Sequence, residues 1–217
     1  MLRAMLLFIL TGLFFTAPAA AQRAGKSDFY FSPFFTNSQN YTFEGGTSVQ
    51  TDTGTGIALG WDYNFDAHWA AGVEFNWGEI DYRATAQPGP GNPNAPTRIN
   101  GTMLTSGLRF NGTYNLASGP LTPFLTANAG WTYVDTGIPD GLPQNVCWYY
   151  PWWGTYCGTV APTKATTKFA YGVGLGVRAD IGRSFVVRGM VSQQYVDFSN
   201  FGSTPWIQWR LDLGTRF

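Results

Sequence analysis

The stretch TGIALGWDYNF, residues 55–65, is informative about the fold because its side chains alternate strictly between two kinds. Every second residue is large and mostly apolar: Thr55, Ile57, Leu59, Trp61, Tyr63 and Phe65. The residues between them are small or polar: Gly56, Ala58, Gly60, Asp62 and Asn64. Successive side chains of a β-strand point to opposite sides, whereas a helical pattern repeats about every 3.6 residues. The stretch therefore predicts a β-strand with one apolar face.

The same alternation recurs along most of the chain. Six further segments carry it: 69–77, 104–116, 121–133, 169–181, 185–195 and 207–217. An eighth strand is predicted at Asp28–Thr36, although this segment has aromatic residues on both faces and contains Pro33, which strands tolerate mainly at edges or bulges. Beyond residue 21 there is no run of apolar residues long enough for a helical span and little helical periodicity, so an all-β chain is predicted.

The charged residues of these strands all fall on the small and polar face. They are Asp62, Glu74, Arg109, Arg178, Asp180, Arg188, Arg210, Asp212 and Arg216. A water-soluble sandwich would turn this face outward, and a membrane barrel would turn it inward. The alternation alone therefore fits both architectures.

The lengths of the predicted connections distinguish the two architectures. Short connections at 66–68, 117–120 and 182–184 alternate with long ones at 37–53, 84–100, 135–167 and 199–205. Short turns at one end and long loops at the other are typical of outer-membrane barrels, whose tilted strands need about 10 residues to cross. The pattern predicts an eight-stranded antiparallel up-and-down transmembrane β-barrel with short periplasmic turns and long extracellular loops.

Composition and the N-terminal segment agree with an exported membrane protein. Only 12% of the 217 residues are charged, against about 25% in typical soluble domains. The 13 basic and 13 acidic residues balance, which argues against nucleic acid as a partner. Arg3, an apolar core at 4–15 and the small residues that follow predict a signal peptide, residues 1–21, cleaved after Ala21. One barrel domain is expected at 22–217.

Three stretches together resemble a known family. They are TPFLTANAGWTYVD at 122–135, FAYGVGLGVRADIG at 169–182 and the terminal WRLDLGTRF at 209–217. In this order they are similar to the eight-stranded outer-membrane β-barrel family, which includes the OmpA-type transmembrane domain and porin-like barrels. The resemblance implies an outer-membrane location, contact with outer-membrane lipids and lipopolysaccharide, and a monomer. It also implies that Phe217 is the assembly signal recognised by the outer-membrane assembly machinery.

The charges predicted to face the barrel interior allow two interpretations. The residues concerned are Asp62, Glu74, Arg109, Arg178, Asp180, Arg188, Arg210 and Asp212. They could line a narrow porin-like channel for ions or small solutes, or they could pair into a network that closes the interior. An eight-stranded barrel is just wide enough to be filled by side chains, and unpaired charges inside it would be costly. We therefore favour the closed interior.

The longest predicted loop contains both cysteines of the chain. Cys147 and Cys157 are ten positions apart in an exported protein, which predicts a disulfide. Six large aromatic residues lie between them: Trp148, Tyr149, Tyr150, Trp152, Trp153 and Tyr156. Such residues dominate recognition surfaces, so they are candidates for binding a protein, a sugar or lipopolysaccharide. The alternative is a small core that packs the loop against itself or over the barrel mouth.

Catalytic residues are hard to find in this sequence. The only histidine, His68, lies in a short predicted turn beside Asp66, and no serine nucleophile is placed at a strand end next to it. We therefore expect no enzymatic activity, no cofactor and no metal site. The hypotheses left open are a structural or surface-interaction barrel, a small-solute channel, and a soluble secreted β-sandwich lectin.

Overall fold

The structure is a computed structural model that describes residues 23–42, 48–86, 97–197 and 203–217. The predicted signal peptide, its cleavage point after Ala21 and the predicted first mature residue, Gln22, lie outside these ranges. The described part of the chain contains no helix with the length and apolar character of a helical membrane span.

Twelve β-strands account for most of the described residues. They are β1 (Lys26–Thr36), β2 (Gln39–Thr42), β3 (Ser48–Thr51), β4 (Gly54–Asn64), β5 (Trp69–Ala86), β6 (Thr97–Asn115), β7 (Leu121–Pro139), β8 (Gln144–Tyr150), β9 (Gly154–Val160), β10 (Thr163–Ile181), β11 (Phe185–Asp197) and β12 (Ser203–Arg216). Eight of them form the wall of a barrel: β1, β4, β5, β6, β7, β10, β11 and β12. The other four form two hairpins, β2–β3 and β8–β9, within the long connections.

The barrel closes because the first wall strand pairs with the last. β1 and β12 run antiparallel, with Asp28 opposite Arg216 and Phe35 opposite Trp209. Every other wall strand pairs antiparallel with the wall strands before and after it in the sequence. This closed, eight-stranded up-and-down barrel confirms the predicted fold class. It is incompatible with a two-sheet sandwich, whose sheets keep free edges.

Burial alternates along the wall strands with the same period of two as the sequence. In β4, Ala58 and Asp62 face the interior and are buried, whereas Leu59 and Trp61 face outward and are 38% and 42% exposed. Outward apolar side chains suit a hydrocarbon surrounding, and closure leaves no strand edge unpaired within it. The polar face of the sequence is therefore the inside of the barrel.

The first wall strand forms in spite of its proline. Pro33 pairs in register with Ile57 of β4, on the outward face of β1. On the other side, the ladder between β1 and β12 passes from Phe31 to Phe34 without pairs at Ser32 and Pro33. Proline lacks the N–H group that a continuous ladder requires, and the local gap accommodates it.

Several wall strands are much longer than predicted. β5 has 18 residues, and β6, β7 and β10 have 19 each, against the expected span of about 10. The predicted loop boundaries at 84–100 and 135–167 were therefore wrong at both ends. Apolar alternation is needed only where lipid surrounds the wall. Beyond the lipid the strands can continue, because neighbouring strands still satisfy each other's backbone hydrogen-bonding groups. The short turns lie at 65–68, 116–120 and 182–184, as predicted to within two residues.

Candidate functional site: the barrel interior and the disulfide hairpin

A first group of interior charges, which we call the central cluster, lies across the barrel from β4 and β5 to β11 and β12. Asp212 accepts hydrogen bonds from Arg188 Nε at 2.8 Å and from Arg210 Nε at 2.5 Å. Arg188 also donates to Asp62 at 2.5 Å, and Arg210 donates to Glu74. Alternation turns all five side chains inward, and closure of the wall brings the acids of β4 and β5 within reach of the arginines.

Tyr30 of β1 fills the space between the two arginines of the central cluster. The guanidinium carbon of Arg188 lies 4.2 Å from the centre of the Tyr30 ring, and that of Arg210 lies 5.4 Å from it. Both distances are within the range of a cation–π interaction. The Tyr30 hydroxyl donates to Glu74 at 3.4 Å and accepts from the Asn111 amide at 3.2 Å. The Tyr30 ring therefore lies inside the lumen in contact with both arginines and with side chains of β5 and β6.

A second group, the lower cluster, lies nearer the end with the short turns. Asp28 accepts from Arg178 at 2.5 Å and from Arg216 at 2.8 Å. Asp180 accepts from the same two arginines at 2.9 and 2.7 Å, and lies 3.2 Å from Arg23. Two carboxylates thus hold three guanidinium groups in one buried arrangement.

Sequence reasoning missed two members of the lower cluster, Arg23 and Asp28. Arg23 is fully buried, donates to the carbonyl oxygen of Gly119 at 2.5 Å, and lies 3.3 Å from that of Ala67. Arg23 therefore contacts both the turn at 65–68 and the turn at 116–120, at the same end of the barrel. No alternation covers it because it precedes the first strand. Asp28 could have been found, since every second residue from Asp28 to Thr36 faces inward.

Arg109 differs from the other interior arginines. It is 7% exposed, and among the described residues no carboxylate lies within ion-pair distance of it. Glu74 stands opposite Arg109 in the register of β5 and β6, but its carboxylate binds Arg210. The predicted network thus contains one arginine that lies beside the central cluster without being paired in it.

The disulfide hairpin, β8 and β9, contains the predicted cysteine pair. Cys147 and Cys157 are opposite each other in the register and are joined by a disulfide, with their Cα atoms 4.0 Å apart. The Thr159 hydroxyl donates to the Asn145 side-chain oxygen at 2.7 Å and links the same two strands. The hairpin therefore has its own covalent and hydrogen-bonded supports outside the barrel wall.

The predicted aromatic residues lie on this hairpin and on its tip. Trp148 and Tyr150 belong to β8, while Trp152 and Trp153 lie in the tight turn that follows. Four of the side chains are largely exposed, at 74% for Tyr149, 88% for Trp152, 84% for Trp153 and 63% for Tyr156. These four do not form the small packed core that was the alternative. The segment 141–163 around them contains no charged residue.

Asp66 and His68 support the turn between β4 and β5. One oxygen of the Asp66 carboxylate accepts from the backbone N–H groups of His68 and Trp69 at 2.6 and 2.7 Å. The hydrogen bond from the Trp69 N–H, followed by that from His68, lowers the pKa of Asp66 below its ordinary value. The His68 ring nitrogen Nδ1 lies 2.8 Å from the carbonyl oxygen of Asn115, across to the end of β6. Both side chains are thus engaged in shaping a turn.

Phe217 lies just beyond β12 at the end with the short turns. Its backbone exchanges two hydrogen bonds with Ser27 at 3.0 Å each, and its side chain is 66% exposed. The chain end is therefore anchored to β1 through its backbone, with the aromatic ring facing outward. Its role as an assembly signal stays a prediction. Among the described residues no group of three or more His, Cys, Asp or Glu side chains is arranged to hold a metal ion.

Comparisons with known proteins agree with this architecture. The chain matched none of the curated proteins with which it was compared. Among solved structures, it is similar to the outer membrane protein OprG of Pseudomonas aeruginosa, with 11% identity, 91% of this chain and 99% of that chain covered, and a TM-score of 0.55. It is also similar to Ail, the attachment invasion locus protein of Yersinia pestis, solved with the heparin analogue sucrose octasulfate. That match has 13% identity, covers 89% of this chain and 99% of that chain, and has a TM-score of 0.50.

Identities this low show a shared fold and nothing finer. A family model, by contrast, matches almost the whole chain. The model describes the outer membrane protein beta-barrel domain, and it matches residues 6–217. The closed barrel, its outward apolar face and this match place the protein in the outer membrane, and the chain belongs to the outer membrane protein beta-barrel family.

Proposed function

We propose that the protein is a surface-interaction protein of the outer membrane. In this proposal the disulfide hairpin is the element that contacts a partner outside the cell. The barrel is a closed, non-catalytic anchor whose outer face contacts lipids and lipopolysaccharide. The observation that carries the proposal is the exposure of Tyr149, Trp152, Trp153 and Tyr156 on a stapled hairpin outside the barrel wall.

Two properties of the hairpin support a role in recognition. Tryptophan and tyrosine supply large contact areas with few rotatable bonds, and they are enriched among the residues that dominate binding energy. The disulfide restricts the hairpin before a partner arrives, which lowers the entropy lost on binding. Because the segment 141–163 is uncharged, we infer a partner surface that is itself largely uncharged, such as a neutral sugar or an apolar protein patch.

The pairing of interior charges supports a closed barrel. Five of the six interior arginines lie within 4 Å of a carboxylate, and Tyr30 occupies the space between two of them. A channel would need a continuous hydrated path, and such a path would require these contacts to open. The narrow porin-like channel is therefore the alternative against which closure is tested.

The position of Arg23 supports removal of a signal peptide. We infer that residues 1–21 are cleaved and that the mature barrel domain begins at Gln22. Arg23, two residues beyond the inferred cleavage point, is buried between Asp180 and the carbonyl oxygen of Gly119. A mature N-terminus would then lie at the end of the barrel with the short turns. Mass spectrometry of the purified protein tests this, and a chain that retains Met1 would contradict it.

The hairpin hypothesis is tested by binding of whole cells that express the protein. Such cells are applied to immobilised neutral glycans, anionic glycans and purified matrix proteins. Changing Trp152 and Trp153 together to alanine is expected to lower binding at least about tenfold, because truncating a dominant interface aromatic costs about 1.4 kcal/mol or more. Trp69→Ala, an exposed tryptophan at the opposite end of the barrel, is the matched control.

Two results would contradict the hairpin hypothesis. One is equal binding by the unmodified protein and the double variant at equal surface levels. The other is binding that disappears when salt is raised from about 0.05 to 0.5 M, because screening weakens exposed charge pairs but not uncharged contacts. The second result would place recognition on exposed charged groups rather than on the uncharged hairpin.

A further inference from the structure

The exposed aromatic residues of the disulfide hairpin are placed around its tip. Trp152 and Trp153 lie in the turn that joins β8 to β9 and are 88% and 84% exposed. Tyr149 stands opposite Thr155 in the register, and Tyr156 is the next residue along β9. Directly opposed residues share a face of a β-ribbon, whereas consecutive residues lie on opposite faces. Tyr149 and Tyr156 therefore lie on opposite faces, and the two tryptophans lie at the end of the ribbon.

This placement distinguishes between the partners that an uncharged aromatic surface can bind. A sugar ring stacks on one face of the ribbon, and a flat protein patch covers one side of it. Either partner would leave the aromatic residue of the opposite face exposed to water. A lipid bilayer, by contrast, surrounds whatever enters it and covers the tip and both faces together. The arrangement of Tyr149, Tyr156 and the tip tryptophans thus fits a bilayer better than a single flat surface.

The charged residues nearest in sequence to the hairpin lie at its base. The segment 141–163 contains no charged residue, and Asp140 and Lys164 flank it. The Asp140 backbone N–H donates to the carbonyl oxygen of Pro162 at 2.7 Å, which joins the base to the ladder of β7 and β10. The seven residues of β8 span roughly 20 Å at about 3.4 Å per residue. The tip can therefore enter an apolar surrounding without taking a charged side chain with it.

We propose that the tip of the disulfide hairpin inserts into the headgroup region of an apposed zwitterionic phospholipid bilayer outside the cell. The proposal rests on the proposed function and names a membrane as the partner. Tryptophan and tyrosine concentrate at membrane–water interfaces, because an apolar ring and a polar N–H or O–H group are both accommodated there. The outward face of the barrel carries the same residue types, such as Trp77 and Tyr133.

The backbone of the hairpin limits insertion to the tip. The antiparallel ladder from Gln144 opposite Val160 to Tyr150 opposite Gly154 pairs the two strands with each other. The outer edges of both strands have no further strand beside them in this two-stranded sheet. Backbone groups on such edges need hydrogen bonds that hydrocarbon cannot supply, whereas water and headgroups can. The hairpin is therefore suited to the headgroup region and not to crossing the bilayer.

Co-flotation with vesicles tests the proposal on the whole protein. The barrel is embedded in lipid nanodiscs, mixed with phosphatidylcholine vesicles and centrifuged through a density gradient. Discs that contain the unmodified protein are expected to float with the vesicles, and empty discs are not. Changing Trp152 and Trp153 together to alanine is expected to weaken vesicle binding at least about tenfold, because the apolar area that lipid covers is lost. Trp69→Ala, at the opposite end of the barrel, is expected to bind like the unmodified protein.

A second set of variants tests insertion without removing an aromatic ring. Thr155 is exposed on β9, beside the tip. Thr155→Asp and Thr155→Lys each add one charge there, and both are expected to weaken binding to phosphatidylcholine, because a charge of either sign is costly to move into the membrane. Thr155→Asn, which is polar but uncharged, is the matched control. Binding of both charged variants at the level of the control would overturn insertion.

The outcomes separate this proposal from the proposed function. Vesicle binding is expected to be the same at about 0.05 and 0.5 M salt, and its loss at the higher concentration would overturn insertion of an uncharged tip. Flotation no greater than that of empty discs would overturn a bilayer as the partner. If whole cells still bind a glycan or a matrix protein through Trp152 and Trp153, the proposed function then stands with that partner. Absence of binding in both experiments would contradict the proposed function as well.

Discussion

The barrel interior and the disulfide hairpin place opposite kinds of side chain in opposite surroundings. Inside the barrel, Arg109 and the charged side chains of the central and lower clusters are all 7% exposed or less. On the hairpin, the four described aromatic side chains are 63% to 88% exposed and no charged residue is present. A water-soluble protein shows the reverse arrangement, with aromatics buried and charges outside.

Lipid accounts for the arrangement in the barrel but not for the one in the hairpin. Outward aromatics of the wall, such as Trp61, are exposed because the wall faces hydrocarbon. Trp152 and Trp153 lie within the long connection between β7 and β10, outside the wall strands that lipid surrounds. Exposed apolar groups outside the lipid are an energetic liability unless something covers them. Under the proposed function, this difference separates an interior that stabilises the barrel from a hairpin that contacts a partner.

The largest expected effect comes from removing the acid that joins the two arginines of the central cluster. Asp212→Asn leaves Arg188 and Arg210 with one carboxylate each in place of two. Breaking buried ion pairs typically costs roughly 3–5 kcal/mol, so the free energy of unfolding is expected to fall by about this amount. Urea unfolding of the folded barrel in detergent measures it.

The control for Asp212→Asn is Asp81→Asn, an exposed aspartate on a wall strand. Exposed substitutions of this kind usually change the free energy of unfolding by no more than about 0.5 kcal/mol. Equal effects of the two substitutions would show that the interior charges are hydrated rather than buried. The distinction between a buried, charged interior and an exposed, uncharged hairpin would then no longer hold.

A smaller effect is expected at Glu74. Glu74→Gln removes one partner of Arg210, which keeps Asp212, and the loss of a charged hydrogen bond is expected to cost roughly 1.5–3 kcal/mol. Neither the unmodified protein nor the variant is expected to conduct ions in planar bilayers. No measurable loss of stability, together with conductance by the unmodified protein, would favour the channel over the closed interior.

The disulfide is expected to act on the hairpin and not on the barrel. In Cys147→Ser the free energy of barrel unfolding is expected to stay within about 0.5 kcal/mol of the original value, because the hairpin contributes no strand to the wall. Limited proteolysis of folded protein is expected to cut between Gln144 and Val160 more rapidly. Cys157→Ser is the matched control and should behave identically. A large loss of barrel stability in both would show that the hairpin supports the wall.

The smallest expected effect concerns the turn at Asp66. The N–H groups of Trp69 and His68 stabilise the charged carboxylate, so its midpoint is expected below the ordinary value of about 3.9. The stabilisation is present above the ordinary pKa and is lost as pH falls through the lowered one. A carboxyl carbon titration by NMR, assigned with Asp66→Asn, measures the midpoint. A value at or above the ordinary one would mean that these hydrogen bonds do not persist in solution.

Alternation was a reliable guide to the wall, but it did not reach all of the interior. It turned Asp62 and Arg188 inward correctly because the direction of each side chain follows from its place in the strand. It missed Arg23, which lies before any strand, and it gave no face to Asp28 on the aromatic strand β1. Alternation also did not show that the space at Gly60 is taken by Tyr30, whose Cζ would lie 2.1 Å from a Cβ there.

The eight wall strands, the alternation of sides along seven of them and the cysteine pair could all be read from the sequence alone. These properties depend on the local geometry of an extended backbone and on residues close in the chain. Which charged side chains meet inside the barrel depends on the folded structure. Closure brings Arg188 of β11 to Asp62 of β4, 126 positions away, and leaves Arg109 beyond ion-pair distance of the described carboxylates. Which side chains meet across the lumen depends on how the whole wall curves. The alternation within one strand carries no information about the distance to strands on the opposite side.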